Sequence, residues 1–167
     1  MVITAAGKEK VPDGLVLANG ATVTVAGIQV EAVAAYDIKP GSPVHPKGKS
    51  NGYVITLGGK RIYLIGVTEC VPEVQQVKNV DVAFVGMNIP PGRMTPSEAA
   101  ACAKAIKPKI VYLYHYDQAY AAKLTNPNAR AQGPANGPSI AETVQLFRDA
   151  LKGEPIEFRD SNWYPAR

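Results

Sequence analysis

The chain has 167 residues, and its 46% of hydrophobic and 19% of charged residues are typical of one globular domain that can bury a core. Its formal net charge of +4 comes from scattered lysines and arginines, without a block of like charge, which argues against nucleic acid as a partner. No apolar run approaches the roughly 18 residues of a membrane helix, and the start lacks the layout of a signal peptide, so we expect a cytoplasmic protein without a membrane partner.

The first part of the chain predicts short strands and two β-hairpins. A strand at Val2–Thr4 is followed by a turn-rich segment that ends at Gly20. The first hairpin turns at Ala26-Gly27, and the second turns at Gly58-Gly59, where glycines supply the positive φ angles of a tight turn. The strands predicted for the two hairpins are Thr22–Val25, Gln29–Ala34, Tyr53–Leu57 and Arg61–Ile65.

From the second hairpin onward, strands alternate with helices. The predicted order is strand Arg61–Ile65, helix Val71–Val77, strand Asp81–Val85, helix Thr95–Ile106 and strand Ile110–Tyr114. Such alternation favours right-handed crossovers and a parallel sheet, in which the carboxyl ends of the strands lie at one edge. We therefore predict an α/β fold whose functional residues follow the strand ends.

The helix that starts near Thr95 has clear boundary signals. Thr95 and Glu98 are spaced as a capping box, and Pro96 occupies the first helical position, where no amide partner is needed. The alanines inside this helix allow it to lie close to a sheet, and Pro108 ends it.

A long polar segment, Asp117–Pro138, separates the alternating region from the final helix. Its length is that of a lid or binding loop, or of a surface excursion, and Asp117–Leu124 within it could be helical. A second capping box, Ser139-Ile140-Ala141-Glu142, begins the final helix, which ends at Gly153. We also expect a last strand at Ile156–Phe158 and a tail that packs through Trp163-Tyr164.

Both histidines of the chain lie where the predicted sheet would place a site. His115 directly follows Ile110–Tyr114, an apolar and aromatic run that predicts a central strand buried on both faces. His45 lies in Ile38–Gly52, a loop with too many prolines and glycines for a regular element. A lone histidine is often a structural or solvated residue, so the predicted common edge is what favours a functional role.

The two cysteines, Cys70 and Cys102, are too few for a metal knuckle or a disulfide framework. We expect both to be buried, reduced thiols. Because Cys70 closely follows a predicted strand end, it could also lie near a site.

Several segments resemble the carboxyl-terminal half of the metallo-β-lactamase fold, in particular its ascorbate-6-phosphate lactonase-like branch of small metal-dependent hydrolases. They read HPKGKSNGYVITLGGKRIYLIGVTECVPE, NVDVAFVGMN, RMTPSEAAACAKAIKPKIVY and YHYDQ. These segments lie between His45 and Gln118 in the same order as in the family, and the resemblance extends over roughly residues 20–118. The resemblance implies an αββα sandwich, of which this chain, a single domain over residues 1–167, holds an incomplete second half.

The resemblance also implies positions for metal ligands. His45 matches a histidine that ligates the first metal, and His115 matches one that ligates the second metal. Asp117 could orient a ligand histidine by accepting a hydrogen bond from its ring. The implied metal is divalent, with zinc as the first choice and manganese or iron as alternatives.

The turn Gly66-Val67-Thr68 matches the family's Gly-Asp-Thr turn, whose aspartate bridges two metals. Val67 has no side-chain lone pair, so a bridged pair of metals is not expected here. Thr68 and Glu69 could orient the site loop by hydrogen bonds, or they could cap the helix that follows.

The family's principal ligand cluster, His-x-His-x-Asp-His, is absent from the chain. A catalytic zinc needs about three protein ligands and an open position for water, and two histidines do not reach that count. The metal could therefore be absent from this chain. We expect a truncated or split form that self-associates, is poorly stable, or needs a complementing chain to cover an apolar face.

The function that the resemblance implies is hydrolysis of an ester, lactone or phosphoester of a small molecule by metal-bound hydroxide, with this chain inactive by itself. The alternative is a non-catalytic pseudoenzyme or interaction module on the same fold. A nucleotide-binding α/β protein would need a phosphate loop such as G-x-x-x-x-G-K-[ST] or G-x-G-x-x-G, and neither occurs between a strand and a helix.

Overall fold

The computed structural model describes residues 1–40, 45–87, 94–116 and 139–160. Its strands are β1 (Val2–Ile3), β2 (Leu15–Val16), β3 (Thr22–Val25), β4 (Ile28–Ala35), β5 (Ser50–Leu57), β6 (Lys60–Leu64), β7 (Val82–Gly86), β8 (Ile110–Tyr114) and β9 (Glu157–Phe158). Its helices are α1 (Pro72–Gln75), α2 (Pro96–Ile106) and α3 (Ile140–Ala150). None of these described helices is long and apolar enough to cross a membrane.

The described strands form a seven-stranded sheet in the order β3-β4-β5-β6-β7-β8-β9. The pairs from β3 to β6 are antiparallel, and those from β6 to β9 are parallel. Consequently β4, β6, β7, β8 and β9 run in the same direction. We call the edge where β4, β6, β7 and β8 end, at Ala35, Leu64, Gly86 and Tyr114, the carboxyl rim.

The two predicted hairpins are confirmed. The β3–β4 hairpin turns at Ala26 (φ 49°) and Gly27 (φ 77°), and the β5–β6 hairpin turns at Gly58 (φ 56°) and Gly59 (φ 73°). Two consecutive residues with positive φ match the right-handed twist of the flanking strands. The positive φ angles of the turn residues therefore favour the pairing of the two strands in each hairpin.

A small parallel sheet of β1 and β2 lies beside the main sheet, and sequence analysis missed its second strand. The side chain of Asn51 donates to the carbonyl of Leu17 (2.8 Å), and that of Asn19 donates to the carbonyl of Ser50 (3.0 Å). These amides attach the segment after β2 to the start of β5. The turn-rich composition of this region hid a two-residue strand.

Helix α2 begins at the predicted capping box. The amide of Thr95 donates to Glu98 Oε2 (2.8 Å), and the amide of Glu98 donates to Thr95 Oγ1 (3.4 Å). Helix α3 begins in the same way at Ser139 and Glu142. Helix α1 is shorter than the predicted Val71–Val77: it begins after Val71, which supplies no side-chain cap, and ends at Gln75.

The sheet has one covered and one partly open face. Val54, Tyr63, Ala83 and Val111 pair across four strands and are buried in one cluster with residues of α2 and α3. The row beside it on the opposite face consists of Tyr53, Leu64, Phe84 and Tyr112. Leu64 in this row is 39% exposed, and the rings of Phe84 and Tyr112 stack at 5.2 Å.

The prediction that Ile110–Tyr114 is buried on both faces is therefore wrong in part. Val111 and Leu113 are buried, whereas Ile110, Tyr112 and Tyr114 are only half-buried. Helices cover one face of the sheet. On the other face, the side chains of the aromatic row shield one another only in part.

The prediction of two reduced thiols is also wrong. Cys70 and Cys102 form a disulfide, with Cα atoms 5.5 Å apart and 32 positions apart in sequence. Helix α2 lies over the segment that follows β6, which brings the two side chains together. Sequence spacing alone gave no sign of that approach.

The edge opposite the carboxyl rim is fastened by Asp81. One carboxylate oxygen of Asp81 lies 2.7 Å from Lys109 Nζ and 3.9 Å from Lys60 Nζ, and the other accepts from the amide of Arg61 (2.9 Å). The hydrogen bond from Lys109 and that from the Arg61 amide lower the pKa of Asp81. These contacts join the starts of β6, β7 and β8.

Candidate functional site at the carboxyl rim

Both histidines lie at the carboxyl rim. His115 directly follows β8, and His45 precedes β5, whose first residue lies at the same edge because β5 runs antiparallel to β4 and β6. The loop Gly66–Glu69 follows β6 at this edge as well. The topology thus places His45, His115 and the predicted site loop along the carboxyl rim. The role of the two histidines as metal ligands stays a prediction.

His45 is held by Asp37, a residue that sequence analysis missed. The amide of His45 donates to Asp37 Oδ2 (2.9 Å), and the amide of Asp37 donates to the carbonyl of His45 (2.9 Å). His45 Nδ1 lies 3.3 Å from Asp37 Oδ2, and the side chains are 26% and 0% exposed, respectively. Asp37 closely follows the carboxyl end of β4, and that position was the available signal.

Hydrogen bonds of Thr68 and Glu69 hold the loop after β6, and neither side chain caps α1. Thr68 Oγ1 accepts from the amide of Tyr36 (2.9 Å) and lies 3.0 Å from the Tyr36 carbonyl oxygen. Glu69 is buried, and its Oε2 accepts from the amides of Ile38 (3.0 Å) and Lys39 (2.8 Å). The loop after β6 therefore fixes the backbone between Tyr36 and Lys39, the segment that holds His45 through Asp37.

Gly66 lies at the crowded centre of the rim. Its φ is +80°, and a Cβ atom there would come within 3.0 Å of the Asn51 carbonyl oxygen and 3.5 Å of the Ala35 side chain. The hydroxyl of Tyr114 donates to the Gly66 carbonyl (2.5 Å), which ties this residue to the end of β8, while the end of β4 and the start of β5 lie close beside it. The neighbouring Val67 presents only a hydrocarbon side chain.

His115 adopts a left-handed backbone conformation, with φ +63°. Residues other than glycine adopt this conformation uncommonly, although histidine does so more readily than most. Its ring lies nearly parallel to that of Tyr114, with centroids 6.4 Å apart. Burial raises the pKa of the Tyr114 hydroxyl, which stays protonated and available as a donor to Gly66.

A cavity of about 380 Å³, the Glu69 pocket, opens beside this loop. It is lined by Ile38, Lys39, Pro40, Glu69, Cys70, Met94 and Glu98. Lys39 Nζ lies 2.8 Å from Glu98. Burial alone would raise the pKa of Glu98, but hydrogen bonds from Lys39 and Thr95 outweigh it and lower the pKa.

The described residues do not by themselves fit a catalytic metal. Within residues 1–40, 45–87, 94–116 and 139–160, no three His, Cys, Asp or Glu side chains gather in a way that could hold a metal ion. A catalytic zinc needs about three protein ligands and an open position. Asp117, the predicted partner of a ligand histidine, lies outside the described residues, as do the predicted helix Asp117–Leu124 and the packing of Trp163-Tyr164.

The sequence model of the beta-lactamase superfamily domain matches residues 8–116. Among solved structures, the chain is similar to a protein from Parabacteroides distasonis assigned as a metal-dependent hydrolase, with 34% identity and a TM-score of 0.76. The match covers 98% of this chain and 64% of that protein. The chain therefore spans less than two thirds of the length of that relative.

Two further structures share the fold at low identity. One, assigned as a Zn-dependent hydrolase of the metallo-β-lactamase superfamily from Thermotoga maritima, is 16% identical with a TM-score of 0.54, over 89% of this chain and 73% of that one. The other is Zn²⁺-bound PqqB from Methylobacterium extorquens, 13% identical with a TM-score of 0.56, over 96% of this chain and 62% of that one.

Proposed function

Because this chain belongs to the beta-lactamase superfamily and has the hydrolase-like fold of its metallo-β-lactamase members, we propose that it carries the carboxyl-terminal part of a metal-dependent hydrolase. The proposed substrate is a small molecule with an ester, lactone or phosphoester bond. We further propose that this chain is inactive alone. The lactonase-like branch named above stays a prediction.

The observation that carries this proposal is the composition of the carboxyl rim. His45 and His115 lie along it, and buried Asp37 holds His45, whereas Val67 stands where the resemblance places the family's bridging aspartate. The described rim thus offers positioned imidazoles without a complete ligand set. Zinc, with manganese or iron as alternatives, would supply a polarising cation for a carbonyl or phosphoryl oxygen once further ligands complete the site.

The test is metal analysis and hydrolysis by the purified chain beside a version extended upstream in its gene. We expect substoichiometric metal and no hydrolysis of p-nitrophenyl esters, lactones or bis(p-nitrophenyl) phosphate by the short chain. The extended version should gain both metal and activity, and both should fall in its His45→Ala and His115→Ala variants. Stoichiometric zinc, manganese or iron in the short chain would show that its site is complete.

The alternative is a non-catalytic module on the same fold, and the hydrocarbon side chain of Val67 favours it. A Val67→Asp variant of the extended chain separates the two, with Val67→Asn as a control of similar size but without charge. If neither the extended chain nor its Val67→Asp variant binds metal, the rim is not a metal site and the module is the better description.

A further inference from the structure

The disulfide lies directly beside the candidate site. Cys70 follows Glu69 in the chain and lines the Glu69 pocket, where it is half-buried. Cys102 lies one helical turn after Glu98 on α2 and is fully buried. Cys70 is therefore the cysteine that a thiol entering the pocket would meet, whereas Cys102 is enclosed by the core.

The bond links α2 to the loop after β6. The ion pair between Lys39 and Glu98, at 2.8 Å, links the same helix to the loop after β4. Glu69, next to Cys70, accepts hydrogen bonds from the amides of Ile38 and Lys39. A continuous set of contacts thus runs from the disulfide through Glu69 to the backbone that positions Asp37 and His45.

We propose that the Cys70–Cys102 bond is a thiol–disulfide exchange site for a dithiol, and that its reduction loosens the loop Gly66–Glu69 and the backbone of Ile38 and Lys39 bound to it, while the rest of the fold stays intact. One thiolate of the dithiol attacks Cys70 Sγ, and Cys102 leaves as a thiolate and takes up a proton. The second thiolate then attacks the dithiol's own sulfur in the mixed disulfide, and Cys70 leaves and is protonated. The dithiol becomes a disulfide, and its two protons and two electrons pass to the cysteines.

Packing keeps the opening local. Ala99, Ala103 and Ile106 of α2 are buried against the sheet independently of the disulfide. The capping box at Thr95 and Glu98 and the Lys39–Glu98 pair do not involve sulfur. Reduction therefore removes one covalent bond from a loop that hydrogen bonds of Thr68, Glu69 and the Gly66 carbonyl still hold.

The test is native-state hydrogen exchange with and without dithiothreitol, with thiols counted by titration. The expected counts are no thiols before reduction and two after it, because the chain has two cysteines. The amides of Ile38 and Lys39 should exchange roughly tenfold faster after reduction, while those of the β7–β8 ladder keep their rates. A Cys70→Ser, Cys102→Ala double variant should exchange fast at the same two amides and should not respond to the reagent.

A monothiol locates the point of attack. Glutathione should leave its adduct on Cys70 and not on Cys102, as read by peptide mapping. The proposal is overturned if the bond resists dithiothreitol until the chain is denatured, or if Ile38 and Lys39 keep their exchange rates after full reduction. It is also overturned if the β7–β8 amides exchange as fast as the loop, because the bond would then be a staple of the whole fold. None of these readouts depends on metal or on hydrolysis.

Discussion

At the scale of single residues, Tyr63 carries a buried polar group that the fold does not satisfy. Its side chain is fully buried in β6, its hydroxyl has no hydrogen-bond partner among the described residues, and burial raises its pKa. Tyr36, by contrast, donates its hydroxyl to Glu73 (2.9 Å). The two tyrosines therefore make a matched pair for measuring the energetic cost of an unpaired hydroxyl.

We expect Tyr63→Phe to raise the free energy of unfolding by about 1 kcal/mol, because an unpaired buried hydroxyl loses its hydration without compensation. Tyr36→Phe should lower it by about 1 kcal/mol, because it removes a made hydrogen bond. Urea denaturation of both variants checks the two signs. Destabilisation by Tyr63→Phe would mean that the hydroxyl has a partner in the folded protein.

Gly66 tests how tightly the rim is packed. Gly66→Ala should lower the free energy of unfolding by about 1–3 kcal/mol, because both the backbone conformation and the contact with the Asn51 carbonyl oppose a side chain. Gly48→Ala is the control, since Gly48 has a similar φ of +83° but no atom within 4 Å of the added carbon. Equal losses for the two variants in urea denaturation would mean that the Asn51 contact contributes nothing.

The residue scale also shows what sequence reasoning could reach. The common edge of His45 and His115 followed from strand direction, because both flank strands that end or begin at the carboxyl rim. Asp37 was not found, because one acidic residue after a strand resembles any loop carboxylate until its hydrogen bond to the His45 amide is known. Hydrogen bonds between residues that are distant in sequence depend on the folded structure, so they could not be predicted from the sequence alone.

At the scale of elements, Glu98 has two tasks in α2. It closes the capping box with Thr95 and pairs with Lys39 across the Glu69 pocket. The first task was predicted from the four-residue pattern, since capping is local chemistry. The second was not, because it depends on how the helix lies against the loop after β4.

The lowered pKa of Glu98 predicts an acid-sensitive contribution to stability. Since the folded-state pKa lies below the unfolded value of about 4.3, the stabilisation is complete above that pH and is lost as the pH falls through the folded pKa. The wild type should therefore lose more stability than Glu98→Gln between about pH 5 and pH 3. Thermal melts across this range check it.

Glu142→Gln is the matched variant, because Glu142 closes the same kind of box on α3 and its pKa is lowered by the backbone and side-chain hydrogen bonds with Ser139. A larger effect at Glu98 than at Glu142 would assign the difference to Lys39. Identical pH profiles for the wild type and Glu98→Gln would contradict the lowered pKa.

The disulfide is the element-scale feature that the sequence did not reveal. Two cysteines 32 positions apart fit reduced thiols as well as a bond. Their approach depends on α2 crossing over the segment between β6 and α1. The buried alanines of α2 allow this helix to pack closely against its neighbours, but they do not determine where on the sheet it lies.

At the scale of the whole molecule, the partly open face of the sheet has a consequence for solution behaviour. Each large apolar side chain left in water forgoes roughly 1.5–3 kcal/mol of burial. Leu64 and Leu57, at 39% and 53% exposure, lie on this face. We therefore predict that the chain self-associates through it.

Leu64→Lys should shift the chain toward the monomer in light scattering coupled to gel filtration, because it places a charge in the middle of the apolar row. Leu146→Lys is the control, since Leu146 on α3 is also exposed, at 52%, but lies away from the sheet face. A wild-type monomer with a cooperative melt at high temperature would contradict the prediction.

The order of elements and the parallel part of the sheet could be predicted, because hydrophobic periodicity, turn residues and helix caps are signals carried by neighbouring residues in the sequence. The bounds of β3 and β8 matched the prediction, and the final strand was one residue shorter. The pairing of β1 with β2 could not be predicted, since two-residue strands carry no periodic signal. An uncovered apolar face was expected from the resemblance, but the residues that form it could not be predicted, because they depend on where every helix lies.

The two ends of the sheet are held together differently, and this determines where new recognition chemistry could be introduced. At one end the Asp81 carboxylate joins Lys60, Arg61 and Lys109. At the carboxyl rim the backbone conformation of Gly66 and the hydrogen bonds of Thr68 and Glu69 hold the connecting segments. A combinatorial library that randomises other rim positions while keeping these three residues should yield folded proteins far more often than one of equal size that randomises the three as well.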